Sequence, residues 1–130
     1  LENRTNNKVN TRKKGTAGEQ QAASLLENEG YTIIAKNYRS KRGEIDIVAT
    51  YEESIVFIEV KSWQVYQLED LAYVIGPEKR RRIIATSMVF LSKHREYSHY
   101  TVRYDVVFLD VQKNRAKHLY NVFTESGAVW

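Results

Sequence analysis

The chain has 130 residues, 42% of them hydrophobic, and its 20 Lys and Arg against 16 Asp and Glu give a net charge of +4. That length suits a single domain, 15–130, with one core, and excludes an enzyme carrying a separate cofactor domain. The lack of cysteine excludes disulfides, zinc ribbons, thiol nucleophiles and iron–sulfur clusters, and fits a reducing, cytoplasmic setting.

The charge is uneven along the chain. Residues 1 to 15 hold Arg4, Lys8, Arg12, Lys13 and Lys14 against Glu2, whereas the rest balances at fifteen basic and fifteen acidic residues. Residues 1–14 are therefore expected to be a basic flexible arm, solvated or in contact with nucleic acid. The polar opening from Leu1 to Lys14 does not read as a signal peptide, and no apolar run approaches the roughly 18 residues that span a bilayer, so no membrane association is expected.

Thr16 to Glu29 reads as a helix: Thr16 and Glu19 make a T-x-x-E capping box, Ala22, Leu25 and Leu26 form an apolar stripe, and Gly30 follows the end. Tyr31 to Tyr38, Glu44 to Thr50 and Ile55 to Ser62 read as three strands of an antiparallel meander, separated by the turns Ser40-Lys41-Arg42-Gly43 and Glu52-Glu53. Gln64 to Gly76 has no clear period and reads as a loop or a short helix. Pro77 opens a second helix to about Lys93, its apolar residues spaced by three and four. Tyr100 to Asp110 is a fourth strand and Lys117 to Phe123 a fifth. The fold class is α/β, a mixed sheet of four to five strands flanked by helices in the order α-β-β-β-α-β.

A turn centred on Glu52-Glu53 sets Asp46 opposite Glu59 and Glu44 opposite Lys61. Alternation then gives Glu44, Asp46, Glu59 and Lys61 one face, shared further along by Val48, Ile55 and Phe57, with Ile45, Ile47, Ala49, Val56, Ile58 and Val60 on the other. Opposed carboxylates repel at Cβ separations of about 4.5 to 5.5 Å, so something must compensate Asp46 and Glu59. A hard cation such as Mg²⁺ does so while keeping several waters, one of which is a candidate nucleophile. Lys61 is placed to orient or help deprotonate that water, or to stabilise a phosphorane-like transition state. Glu19 lies on the stripe of Ala22 and Leu26, facing the sheet, where it can complete the metal shell. Each residue also has an ordinary role: Glu19 closing the capping box, Glu44 and Lys61 forming a cross-strand ion pair, Asp46 satisfying turn amides.

Gly43-Glu44-Ile45-Asp46, Phe57-Ile58-Glu59-Val60-Lys61, Lys79 and Arg103-Tyr104-Asp105-Val106-Val107 resemble the YraN-like family of uncharacterised bacterial proteins, as do Gly18-Glu19 through Gly30-Tyr31 and Asn37-Tyr38-Arg39. That family is similar to archaeal Holliday junction resolvases, and the resemblance implies a restriction-endonuclease-like fold with its Asp, then Glu-x-Lys. By position it implies Asp46 and Glu59 as metal ligands for Mg²⁺ or Mn²⁺, with Glu19 and the Val60 carbonyl as further ligands. It makes Lys61 the catalytic lysine, and Lys79 and Arg103 contacts to backbone phosphate. Trp63 and the segment Gln64 to Gly76 depart from the family pattern, which leaves substrate choice open.

The basic residues support a nucleic-acid partner. Lys79, Arg80, Arg81 and Arg82 cannot all face the sheet, and the turn at Lys41-Arg42, just after Arg39, leads directly into the carboxylate strand. Trp63 and Tyr66 are candidates for stacking on unpaired bases. His94, His99 and His118 show no ligand spacing and read as structural or surface residues. The expected activity is that of a metal-dependent endonuclease hydrolysing DNA, branched or otherwise structured, with a non-catalytic nucleic-acid-binding accessory protein as the alternative. A single site per chain would need a homodimer to cut both strands.

Overall fold

The computed structural model describes residues 17–62 and 75–125. Helix α1 spans residues 17–28 and is followed by strands β1 (Thr32–Ser40), β2 (Gly43–Tyr51) and β3 (Ser54–Ser62). Helix α2 (Pro77–Lys93) and a short 3₁₀ turn (Arg95–Tyr97) lead to β4 (Thr101–Asp110) and β5 (Arg115–Phe123). The expected arm, the capping residue Thr16 and the stacking candidates Trp63 and Tyr66 lie outside the described residues. Among the described residues, no helix is long and apolar enough to cross a membrane.

Local sequence explains where the helices stop. The Gly30 N–H donates to the Glu27 carbonyl and the Tyr31 N–H to the Leu26 carbonyl, a Schellman closure of α1 that needs the left-handed φ of 98° at Gly30. Helix α2 starts with Pro77, whose missing N–H would have no intrahelical partner, and carries Glu78 in its first turn and Lys93 in its last, matching the helix dipole.

The five strands form one sheet in the order β1-β2-β3-β4-β5. The first three make the expected antiparallel meander, β4 pairs parallel to β3, and β5 pairs antiparallel to β4. A parallel neighbour needs a crossover, and α2 supplies it, packing over β2 and β1. On that face Val48, Ile55, Phe57, Tyr104, Val106 and Phe108 bury against Ile83 and Phe90 of α2. On the other, Ile47, Ala49, Val56, Ile58, Val107 and Leu109 bury against Ala22, Ala23 and Leu26 of α1. Both faces of the central strands are therefore covered, as their near-continuous apolar runs require.

One face assignment is corrected. Ile45 packs with Val48 on the α2 side rather than with Ile47 on the α1 side. The strand pair departs from regular geometry next to it: Asn37, at the level of Asp46, takes a φ of 52°.

Candidate active site at a strand fork

The predicted register between β2 and β3 is present, with Ile47 opposite Ile58 and Tyr51 opposite Ser54, but the ladder ends at Ile47 and Ile58. Beyond that point β2 stays with β1, pairing Ile45 with Tyr38 and Glu44 with Arg39, while β3 stays with β4, pairing Glu59 with Val106 and Lys61 with Phe108. Asp46 and Glu59 thus stand at the opening of a fork rather than as one more rung. The Val60 N–H, which faces β2 where the ladder has ended, donates instead to Asp46 Oδ2 at 2.8 Å. That bond fixes the Asp46 carboxylate and satisfies an amide that would otherwise be orphaned.

The fork opens into a cleft of about 320 Å³ lined by Gly43, Glu44, Asp46, Glu59, Val60, Lys79, Arg82 and Ile83. Helix α2 forms its other wall. Gly43 permits the close approach, since a Cβ there would lie 3.1 Å from Thr86 Oγ1 and 3.2 Å from Arg82 Cβ. Ser40 Oγ also meets Thr86 Oγ1 at 3.4 Å. The β1–β2 turn, carrying exposed Lys41 and Arg42, is thereby pinned beside the basic start of α2. Two basic clusters far apart in sequence flank one opening.

Charge inside the cleft is compensated from α2 as well as from the strand. The Lys79 ammonium pairs closely with Glu59 Oε2, and Lys61 Nζ lies 3.9 Å from the same oxygen. Burial, followed by a hydrogen bond and like charge from Glu59, pushes Asp46 up to about 8, against the opposing Val60 N–H. Lys61 is lowered, first by burial and then by the neighbouring Lys79 ammonium. Lys79 is raised: burial is the largest single influence and acts downward, but the contact with Glu59 outweighs it.

The remaining sequence candidates have other partners, although Glu44 lines the cleft and the charge of Glu19 helps to raise Asp46. Glu19 is partly buried and accepts a 2.6 Å hydrogen bond from Asn37 Nδ2; among the described residues no group of three or more His, Cys, Asp or Glu gathers to hold a metal. Glu44 does not pair with Lys61 but with Arg39, at 3.4 Å. Arg80 donates to the Ile75 carbonyl at 2.6 Å, bracing the entry to α2. Arg103 does not reach the cleft. It binds Asp105 through Nε at 3.1 Å and Nη2 at 2.6 Å, donates to Tyr31, and lies 5.6 Å from the ring centroids of Tyr31 and Tyr120.

Two features go beyond what the sequence reading assigned. Arg82 lines the cleft, and the signal was its spacing of three from Lys79 on one helix face. His118 is buried between Asp105 and Glu29, each 2.7 Å from a ring nitrogen. Glu29 is 89 residues away in sequence, and no local pattern announces such a partner.

A mixed sheet covered by a helix on each face, with paired carboxylates and two lysines at a strand fork, defines an α/β protein with a polar interstrand cleft. The chain belongs to the uncharacterised protein family UPF0102, whose profile it matches over residues 18–109. It is 44% identical over 95 residues to a UPF0102 protein of Treponema pallidum (strain Nichols), covering 73% of this chain and 75% of that protein. A UPF0102 protein of Syntrophus aciditrophicus is 45% identical over 100 residues, 75% and 76% of the two chains. One from Bradyrhizobium sp. (strain BTAi1 / ATCC BAA-1182) is 35% identical over 112 residues, 86% and 80% of the two chains.

Proposed function

We propose that the protein is a divalent-metal-dependent nuclease that hydrolyses phosphodiester bonds in DNA, with branched or otherwise structured DNA as its substrate. The observation that carries this reading is the fork between β2 and β3, which turns Asp46 and Glu59 into one cleft with Lys61 and Lys79 while basic side chains flank the entrance.

The donor set fits Mg²⁺ or Mn²⁺. Asp46 and Glu59 are hard oxygen donors on separate strands facing a polar space, and Mg²⁺ is typically held by one or two carboxylates with several waters retained. Glu19, engaged with Asn37, is not needed for that set. When bound, such an ion supplies Lewis acidity and charge stabilisation at the phosphoryl group.

The chain's own residues account for the rest. The Val60 N–H holds Asp46 in one orientation. Lys61, its ammonium weakened by burial and by Lys79, is suited to exchange a proton with an attacking water and to stabilise charge on the phosphoryl oxygens. Arg82, with Arg39 near the end of β1 and Lys41 and Arg42 of the turn, offers positive charge to the phosphate backbone on either side of the cut. A symmetric pair of copies would supply a site for each strand of a duplex.

Labelled linear, single-stranded, flapped and four-way-junction DNA incubated with Mg²⁺ or Mn²⁺ tests the reading. Cleavage is expected with the wild type and not with Asp46→Ala or Lys61→Ala. A second reading, a nucleic-acid-binding accessory protein, draws on the occupation of Glu59 by Lys79 and the lack of a three-ligand cluster among the described residues. No cutting of any substrate, with DNA held equally by all three proteins in chelator, would decide for it.

A further inference from the structure

We propose that Lys79 is a cation gate, its ammonium holding the Glu59 oxygen needed by a divalent ion and having to withdraw before the ion binds. The inference rests on reading the cleft as a divalent-cation site, and goes beyond that reading by assigning how the site is kept closed.

Three observations converge on Lys79. First, two ammonium groups converge on one carboxylate oxygen, Glu59 Oε2, and the closer comes from α2 rather than from the strand carrying Glu59. The carboxylate is only 7% exposed, whereas the Lys79 side chain is 39% exposed and has room to move. Second, Glu59 already has two ammonium groups on one oxygen, those of Lys61 and Lys79, before any ion enters. A divalent ion entering beside both ammonium groups would meet repulsion from each. Lys61 sits on β3, whose backbone is locked to β4 through Val60, Lys61 and Ser62, so it is the less mobile of the two. Third, the neighbouring basic side chains of α2 have other anchors, Arg80 on the Ile75 carbonyl and Arg82 on Glu78 at 3.4 Å. Lys79 is the one whose ion pair lies on the carboxylate dyad.

The geometry also gives the withdrawn ammonium a destination. Lys79 and Arg82 line the same wall of the cleft, so a phosphate entering from solvent meets both before it reaches the carboxylates. A phosphate that draws Lys79 off Glu59 would free the oxygen as substrate arrives. Lys79 therefore acts on the ion through Glu59 and is a gating residue rather than a metal ligand.

The test is Mn²⁺ binding in the absence of nucleic acid, read by electron paramagnetic resonance and calorimetry, for the wild type, Lys79→Met, Lys79→Arg, Arg81→Met and Asp46→Asn. Arg81 is exposed on the same helix and its substitution controls for simple loss of charge. Lys79→Met is expected to bind Mn²⁺ roughly tenfold more tightly than the wild type, equivalent to about 1.4 kcal/mol. Lys79→Arg should stay near the wild type and Arg81→Met should change little. Wild-type binding that Lys79→Met leaves equal or weakens would overturn the gate while keeping the cation site. Tightening by Arg81→Met equal to that by Lys79→Met would reduce the effect to bulk charge and also overturn it. If no protein binds Mn²⁺ better than Asp46→Asn, the cation-site reading falls and the gate with it. Thermal melts of each variant establish that the protein measured is folded.

Discussion

Replacing Asp105 with alanine removes the centre of a buried polar network on β4, the strand beside the one that carries Glu59. The carboxylate side chain is fully buried and accepts from four donors: Arg103 Nε at 3.1 Å, Arg103 Nη2 at 2.6 Å, His118 Nε2 at 2.7 Å and the Asn121 N–H at 2.8 Å. Although burial acts to raise it, His118, Arg103 and Asn121 together hold Asp105 below its ordinary value. Breaking a buried ion pair from one side costs about 3 to 5 kcal/mol because the partner charge is left behind. Here the loss belongs near the lower end, about 3 kcal/mol, since Arg103 keeps Tyr31 and two aromatic faces, and a cation over an aromatic ring contributes about 0.5 to 1 kcal/mol. For a domain of this size that corresponds to a fall of about 10 °C in Tm. Urea unfolding followed by circular dichroism measures it directly. Asp105→Asn should cost about 2 kcal/mol, because its amide must face at least one donor that the carboxylate accepted. A loss below about 1 kcal/mol for the alanine variant would refute the argument and mean that water or rearranged side chains replace the carboxylate at little cost.

Three further outcomes are expected. His118 is raised: burial opposes its charge, but Asp105 and Glu29 outweigh burial, so its stabilisation is complete below about pH 6.5 and disappears as pH rises through the higher folded value. His118→Gln should therefore be most destabilising relative to the wild type below pH 6.5, the gap narrowing at alkaline pH; a gap independent of pH in denaturant titrations would contradict this. Glu52 holds a φ of 52° at the β2–β3 turn, so Glu52→Gly should stabilise the protein by about 0.5 to 1 kcal/mol, visible as a higher urea midpoint. Mn²⁺ at a hundredfold excess over its Kd should add about 2.7 kcal/mol of stability, an increment that a chelator reverses and Glu59→Gln abolishes in thermal melts.

Much of the scaffold was legible because it is written in local chemistry. Gly30 closes α1, Pro77 opens α2, and the two-residue turn at Glu52-Glu53 sets a register that the structure keeps. The same register arithmetic predicted that Asp46 faces Glu59, but not that the ladder stops one pair earlier and that a side chain takes over the hydrogen bond. Alternation placed Ile45 on the wrong face because it presumes a regular strand, and Asn37 is not in a regular conformation. Arg103 looked available for phosphate only while its partners were unknown; Tyr31 lies 72 residues away and comes alongside through the packing of α1 and β1. His118 has the structural role expected of it, but its partners were hidden for the same reason. Spacing rules detect ligands on one element, whereas this histidine is gripped by carboxylates from two others.

The parallel pairing of β3 with β4 has a consequence for the order of assembly. β1, β2 and β3 are joined by two-residue turns and can zip up from local encounters, but β4 cannot join until the chain from Ser62 to Thr101 has looped back with α2. Non-local pairings of this kind are slow because the loop entropy is lost before the contacts are gained. During that interval the meander holds Asp46 and Glu59 near one another with no ammonium from α2 to offset them, a local repulsion in the nascent hairpin. Docking of α2 brings the Lys79 ammonium to Glu59 and offsets that repulsion. Lys79→Met should slow folding in stopped-flow experiments at neutral pH if α2 docks before the rate-limiting barrier, and leave the folding rate unchanged if it docks afterwards. The ion pair of Glu59 with Lys79 is thus a contact that only the crossover helix can complete.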